Sequence, residues 1–95
     1  MSRKFMYATV VNGPRQVIHV VRVVDEILDF PEIDHIAETM RARMLSRYGE
    51  QMPNVVVVQG AGKERLRLFG DSQAVARVRI AMFNATISWS PLELD

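Results

Sequence analysis

The sequence contains no cysteine and only two histidines among 95 residues, and each shortage removes a class of chemistry. Without thiols there are neither disulfides nor thiolate nucleophiles, a composition that suits a reducing cytoplasm. Charge is balanced too: Lys and Arg number 12 against 11 Asp and Glu, a formal +1, so no global field draws the chain to nucleic acid or to an anionic membrane. No stretch approaches the roughly 20 apolar residues of a membrane span. The basic opening Met1-Ser2-Arg3-Lys4 is not followed by the apolar run of a signal peptide, because Tyr7, Thr9 and Asn12 interrupt it. Repeats, low-complexity tracts and linkers are also missing. With 48% hydrophobic residues, residues 1–95 read as one α+β domain in the cytoplasm, with no membrane attachment.

What is present is most legible from Pro31 to Ala85. Ile33, Ile36, Ala37, Met40, Met44 and Tyr48 recur at spacings of three and four and fall on one helical face. Pro31 suits a first turn, Asp29 just before it can accept hydrogen bonds from the free amides of that turn, and Gly49 suits the left-handed end. Glu32, Asp34 and Glu38 lie early in this helix and Arg41, Arg43 and Arg47 late, each set opposing the helix dipole. After Pro53, the run Val55 to Val58 is β-branched and predicts a strand covered on both faces. Gly60-Ala61-Gly62 predicts a turn. Glu64 to Phe69 then predicts a second strand, with Leu66 and Leu68 inward and Arg65 and Arg67 outward. Gly70 and Asp71-Ser72 end that strand and cap a second helix, whose inner stripe is Val75, Val78, Ala81, Met82 and Ala85.

The first thirty residues admit two readings. Phe5 to Val11 predicts a strand and Asn12-Gly13-Pro14 a turn. Val17, Val20, Val21, Val24 and Leu28 fit a helical stripe, yet Val17, Ile18, Val20, Val21, Val23 and Val24 are all β-branched, which favours a strand. Thr86 to Trp89 predicts a short final strand before Pro91, and Leu92 to Asp95 a frayed end. The fold expected is therefore an α+β two-layer sandwich: a mainly antiparallel sheet in the order ββαββα, a short C-terminal strand, and two helices on one face.

Candidate chemistry is sparse. Gly60-Ala61-Gly62-Lys63 invites comparison with a phosphate loop, but a strand follows it where a helix N-terminus would be needed, so a hairpin turn explains it better. Glu32 and His35 have a spacing used in carboxylate-bridged metal sites, yet the only other histidine, His19, lies in a different element. His19 among valines reads as a partly buried strand residue. Ser72 reads as a helix cap, since nothing supplies it with a base and an orienting acid. No metal or cofactor is implied, and the balance leans away from an enzyme.

The arginines are less bland. Lys63, Arg65 and Arg67 share one hairpin, and alternation puts Arg65 and Arg67 on the same side of it. Arg41, Arg43 and Arg47, with Arg77 and Arg79, would extend this strip if the fold brought them together. The ordinary alternative is a solvated surface whose arginines pair with Glu38, Glu50, Glu64 and Asp71. Val55 to Val58, Leu66-Arg67-Leu68-Phe69-Gly70-Asp71, Ala74 and Val78 give Asn54 to Asn84 a pattern that resembles the second half of KH RNA-binding domains. That family's Gly-x-x-Gly loop, which clamps the nucleic-acid backbone, is absent, so no RNA-contacting residues carry over.

Two helices on one face would leave the other face of the valine strands bare. A second copy packed over Val55, Val57, Val21 and Val23 is the expected cover, since large exposed apolar patches are rare in monomers. Three functions follow from these readings. The first is a non-catalytic interaction or regulatory module, homodimeric or bound to another protein. The second is an RNA-binding domain. The third is a small-anion binder or enzyme at a dimer cleft using Arg65, Arg67 and His19, which predicts a concave pocket and perturbed titration nearby.

Overall fold

The chain runs β1 (Phe5–Val11), β2 (Val17–Val23), α1 (Phe30–Tyr48), β3 (Asn54–Gln59), β4 (Arg67–Phe69), α2 (Ser72–Phe83) and β5 (Ser90–Leu92). This architecture is seen in a computed structural model that describes residues 4–60 and 65–94. The strands form one sheet in the order β4-β3-β2-β1-β5. β2 and β3 are parallel, and every other neighbouring pair is antiparallel. The fold is thus α+β, with a mostly antiparallel sheet and two helices, as the sequence predicts. Val17 to Val23 are a strand, so the helical reading of that stretch is not adopted.

The ends of α1 follow the capping logic. The Asp29 side chain accepts from the Glu32 amide at 3.0 Å, with Pro31 in the first turn. Gly49 takes a left-handed φ of 63°, and the turn lets the Glu50 amide reach back to the Met44 carbonyl at 3.3 Å. A side chain at Gly70 would be doubly excluded: its φ is +155° and a Cβ would lie 2.9 Å from the Val55 carbonyl. This bare backbone brings the chain against β3 and into α2.

The helices lie on opposite faces of the sheet, not on one. Period-two alternation sorts the strands into two cores. Phe5, Val21, Val23, Val55 and Val57 pack with Leu28 and with Ile33, Ile36, Ala37, Met40 and Met44 of α1. Ala8, Ile18, Val20, Val56 and Val58 pack with Ala74 and Val78 of α2, joined by Leu66, Leu68, Ile87 and Trp89. The valine strands do demand cover on both faces, and α2 supplies the second cover from within the chain. Consequently Val21, Val23, Val55 and Val57, expected at a dimer face, are buried under α1, each at most 1% exposed. A second copy is not needed to shield them.

Smaller departures have local causes. β4 spans only Arg67–Phe69, shorter than the predicted strand from Glu64. The last strand is Ser90–Leu92 rather than Thr86 to Trp89. Pro91 is tolerated in it because it sits opposite Met6 on an edge, where no ladder N–H is required. Ile87 and Trp89 instead pack into the α2 core, while Leu92 and Leu94 pack against the α1 core rather than fraying. Ala85, expected on the inner stripe of α2, lies beyond the helix with a φ of 54°. Among the described residues, no helix is long and apolar enough to cross a membrane.

Candidate functional site

His19 sits on the α1 side of β2, between Thr9 of β1 and Val55 of β3. Tyr7 is opposite Val21, so on the shared face it is the diagonal neighbour of His19, within reach of a long side chain. The Tyr7 hydroxyl lies 2.8 Å from His19 Nδ1, with the two rings 18° from parallel and 6.0 Å apart. On the other side of the imidazole, Nε2 lies 2.8 Å from Glu50 Oε2 and 3.0 Å from Oε1. The left-handed turn at Gly49 delivers Glu50 to this position beneath the end of α1.

The directions of these bonds follow from what each group can do. A carboxylate only accepts, so Nε2 carries the proton that it donates to Glu50. Nδ1 of the neutral ring is then a lone pair, and Tyr7 donates its O–H to it. His19 is 5% exposed, and no buried side-chain polar atom among the described residues lacks a partner. The chain Tyr7–His19–Glu50 is therefore a fully satisfied polar line running from the sheet to the helix end. Burial pushes the Tyr7 phenol up from its ordinary value of 10.0, helped by the negative charge of Glu50 and by Tyr48.

The line opens onto a cavity of about 400 Å3 between α1 and the β1–β5 side of the sheet. Met40, Met44 and Leu92 give it apolar walls, while Arg43, Arg47 and Tyr48 come from the last turns of α1. Tyr48, expected on the inner face of the helix, is 71% exposed and stands at the cavity instead. Arg43 Nη1 donates to the Glu93 carbonyl at 2.7 Å. Arg47 has no hydrogen-bond or ion-pair partner among the described residues.

The arginine strip read from the sequence does not assemble. Arg65 and Arg67 are exposed beside the β4 edge, where the Arg67 guanidinium lies 5.1 Å from the Phe69 ring centre. Arg43 reaches the β5 edge, at the opposite end of the sheet. Arg41, two residues and so about 200° around the helix from Arg43, pairs with Glu38 at 2.6 Å. Lys63, with Ala61 and Gly62 of the predicted turn and Glu64 of the predicted strand, lies outside the described residues. Glu50 and Asp71, read as partners for arginines, are otherwise engaged: Glu50 holds His19, and Asp71 accepts from the Gln73 and Ala74 amides at the start of α2.

Of the site residues, His19 was visible in the sequence as a histidine among valines, and Arg43 and Arg47 as late-helix cations. Tyr7 and Glu50 were not, because they are 12 and 31 residues away from His19 and meet it only through strand register and the turn at Gly49. Comparison with protein-family models, with curated proteins and with solved structures finds no match to this chain; the site is read from its own geometry.

Proposed function

We propose that the protein is a cytoplasmic binding domain for a small organic anion, held in the cavity between α1 and the β1–β5 side of the sheet. The observation that carries this reading is the Tyr7–His19–Glu50 line, built on the buried His19 and opening onto that cavity beside Arg43 and Arg47. A polar chain there is costly: on β2 and β3 the flanking residues of the same face, Val21, Val23, Val55 and Val57, are apolar and buried, and a valine at position 19 would need no partners. Polar groups kept in such a place, with a pocket beside them, are a functional-site signature. The cavity falls within the usual range of about 300–1,000 Å3 for small-molecule sites. Its charge favours an anion, since two guanidinium groups face one carboxylate. Its methionines, leucine and tyrosine suit an apolar body.

The supporting residues differ from those expected for an anion binder. His19 keeps its place, Arg43 and Arg47 replace Arg65 and Arg67, and a single chain forms the cavity without a dimer cleft. The separation of the arginines to opposite sheet edges leaves the RNA reading without a continuous basic strip. The interaction-module reading retains exposed apolar side chains, among them the pair Ile80 and Phe83 on α2, 61% and 82% exposed. A second copy or another protein would dock there.

The test is an amide-shift titration with acetate, benzoate and inorganic phosphate, with benzyl alcohol as the neutral counterpart. Shifts should centre on Tyr7, His19, Arg47, Tyr48 and Glu50, and Arg47→Glu should weaken binding by roughly tenfold to a hundredfold, the scale of one lost charge-assisted hydrogen bond. If none of the three anions moves those amides at millimolar concentration, the reading fails.

A further inference from the structure

We infer that an anion entering this cavity is bound together with one proton, taken up by His19, so that the Tyr7–His19–Glu50 line couples anion affinity to pH. This rests on the proposed anion site and adds its regulation. Glu50 lies against Nε2 at 2.8 and 3.0 Å and holds the ring proton there. With the ring neutral, Nδ1 has only a lone pair, and the single O–H of Tyr7, 2.8 Å away, is committed to it. The phenolic oxygen can then offer a ligand nothing but its own lone pairs, which repel an oxyanion.

A proton on Nδ1 reverses that bond. The imidazolium donates to the Tyr7 oxygen, and the Tyr7 O–H is released to turn into the cavity and donate to the anion. Nothing else moves: the proton comes from solvent, no covalent bond to carbon is made or broken, and the line stays satisfied at both ends. The same event adds one positive charge to a site that already carries Arg43 and Arg47.

The groups around His19 set the sign of the coupling. Glu50 favours the imidazolium directly through Nε2. Arg43 and Arg47 of α1 line the same cavity and oppose it while the site is empty, and a bound carboxylate lying among them and Tyr7 cancels that opposition. Tyr48 is the remaining titratable neighbour from α1, and Thr9 and Val55, flanking His19 on β1 and β3, do not titrate. Tyr7 itself stays protonated, because burial and Glu50 both hold its proton on. Histidine is the side chain that ordinarily changes charge between about pH 5 and 8, which suits it to carry such a coupling.

Benzoate is the probe, because a carboxylate keeps a fixed charge above about pH 6. Calorimetric titrations between about pH 6 and about pH 9, in two non-anionic buffers of different ionisation heat at each pH, should show net proton uptake on benzoate binding. Affinity should fall about tenfold per pH unit where the free imidazole is neutral. Tyr7→Phe, which keeps His19 and Glu50 but has no hydroxyl to release, should bind more weakly and lose most of this pH dependence, and His19→Gln should take up no proton. Benzoate binding at the cavity amides with no proton uptake at any pH overturns the inference and leaves the anion site standing. Absence of binding by benzoate, acetate and phosphate alike overturns both.

Discussion

His19 occupies a position where its neighbours on the same face are valine, and the cost of that choice is met by two partners drawn from elsewhere in the chain. Tyr7 carries a measurable consequence. Its phenol is held above its ordinary value of 10.0 by burial first, then by Glu50 and Tyr48. The folded state therefore binds the phenolic proton more tightly than the unfolded chain does. The stabilisation is fully present below about pH 10 and is lost as pH rises through the folded-state value. Tyr7→Phe has no proton to lose, so its urea midpoint should fall less than the wild type's between about pH 9 and about pH 11. Parallel declines would show that Tyr7 titrates alike in both states. A histidine surrounded by valines is recognisable in a sequence as buried and in need of partners. Which partners is a matter of register for Tyr7 and of a helix-ending turn for Glu50, and neither leaves a periodic trace.

At the scale of elements, what could be read was what local physics decides. The stripe, the Asp29 cap and Gly49 placed α1 within a residue of its observed ends, and the branched runs placed β2 and β3. The face each helix would take was not legible, because Val55 to Val58 look the same from either side. The strand β3 needs cover on both faces, and the pattern does not say whether a helix of the chain or another molecule supplies it. A parallel β2–α1–β3 unit puts α1 on one face. The segment after β4 must then travel from one edge of the sheet to the other to form β5, and it crosses the opposite face as α2. That helix has 12 residues and inserts only Ala74 and Val78 fully into the core, so its cap matters more than that of a long helix. Asp71→Ala removes the acceptor for the Gln73 and Ala74 amides and should lower unfolding free energy by about 1 kcal/mol, with Asp71→Ser restoring most of it. An unchanged urea midpoint in Asp71→Ala would mean that packing alone fixes the start of α2.

Across the whole molecule, burial on two faces places the most protected backbone at the centre of the sheet rather than on one side of it. β2 is flanked by β3 and β1, and its Ile18, Val20, Val21 and Val23 are buried alternately under α2 and α1. β3 has the same double cover, with Gln59 buried and its Oε1 accepting from the Leu28 amide at 3.1 Å. The edge strands β4 and β5 have three residues each and little to hold them beyond one neighbour and a few apolar contacts. Local opening should follow this gradient, since elements with few buried contacts open at lower free energy than the core. Amide hydrogen exchange should therefore be slowest along Ile18 to Val23 and Val55 to Val58, and faster in Arg67 to Phe69 and Ser90 to Leu92 by roughly a hundredfold or more. Protection in β2 and β3 should also be even from residue to residue, because opening either helix from the sheet uncovers both strands. Were α2 docked loosely, deuteration would spread from the edges into Val20, Val56 and Val58 while the α1 core stayed protected. Exchange of that kind would mean that the sheet is held firmly from one side only.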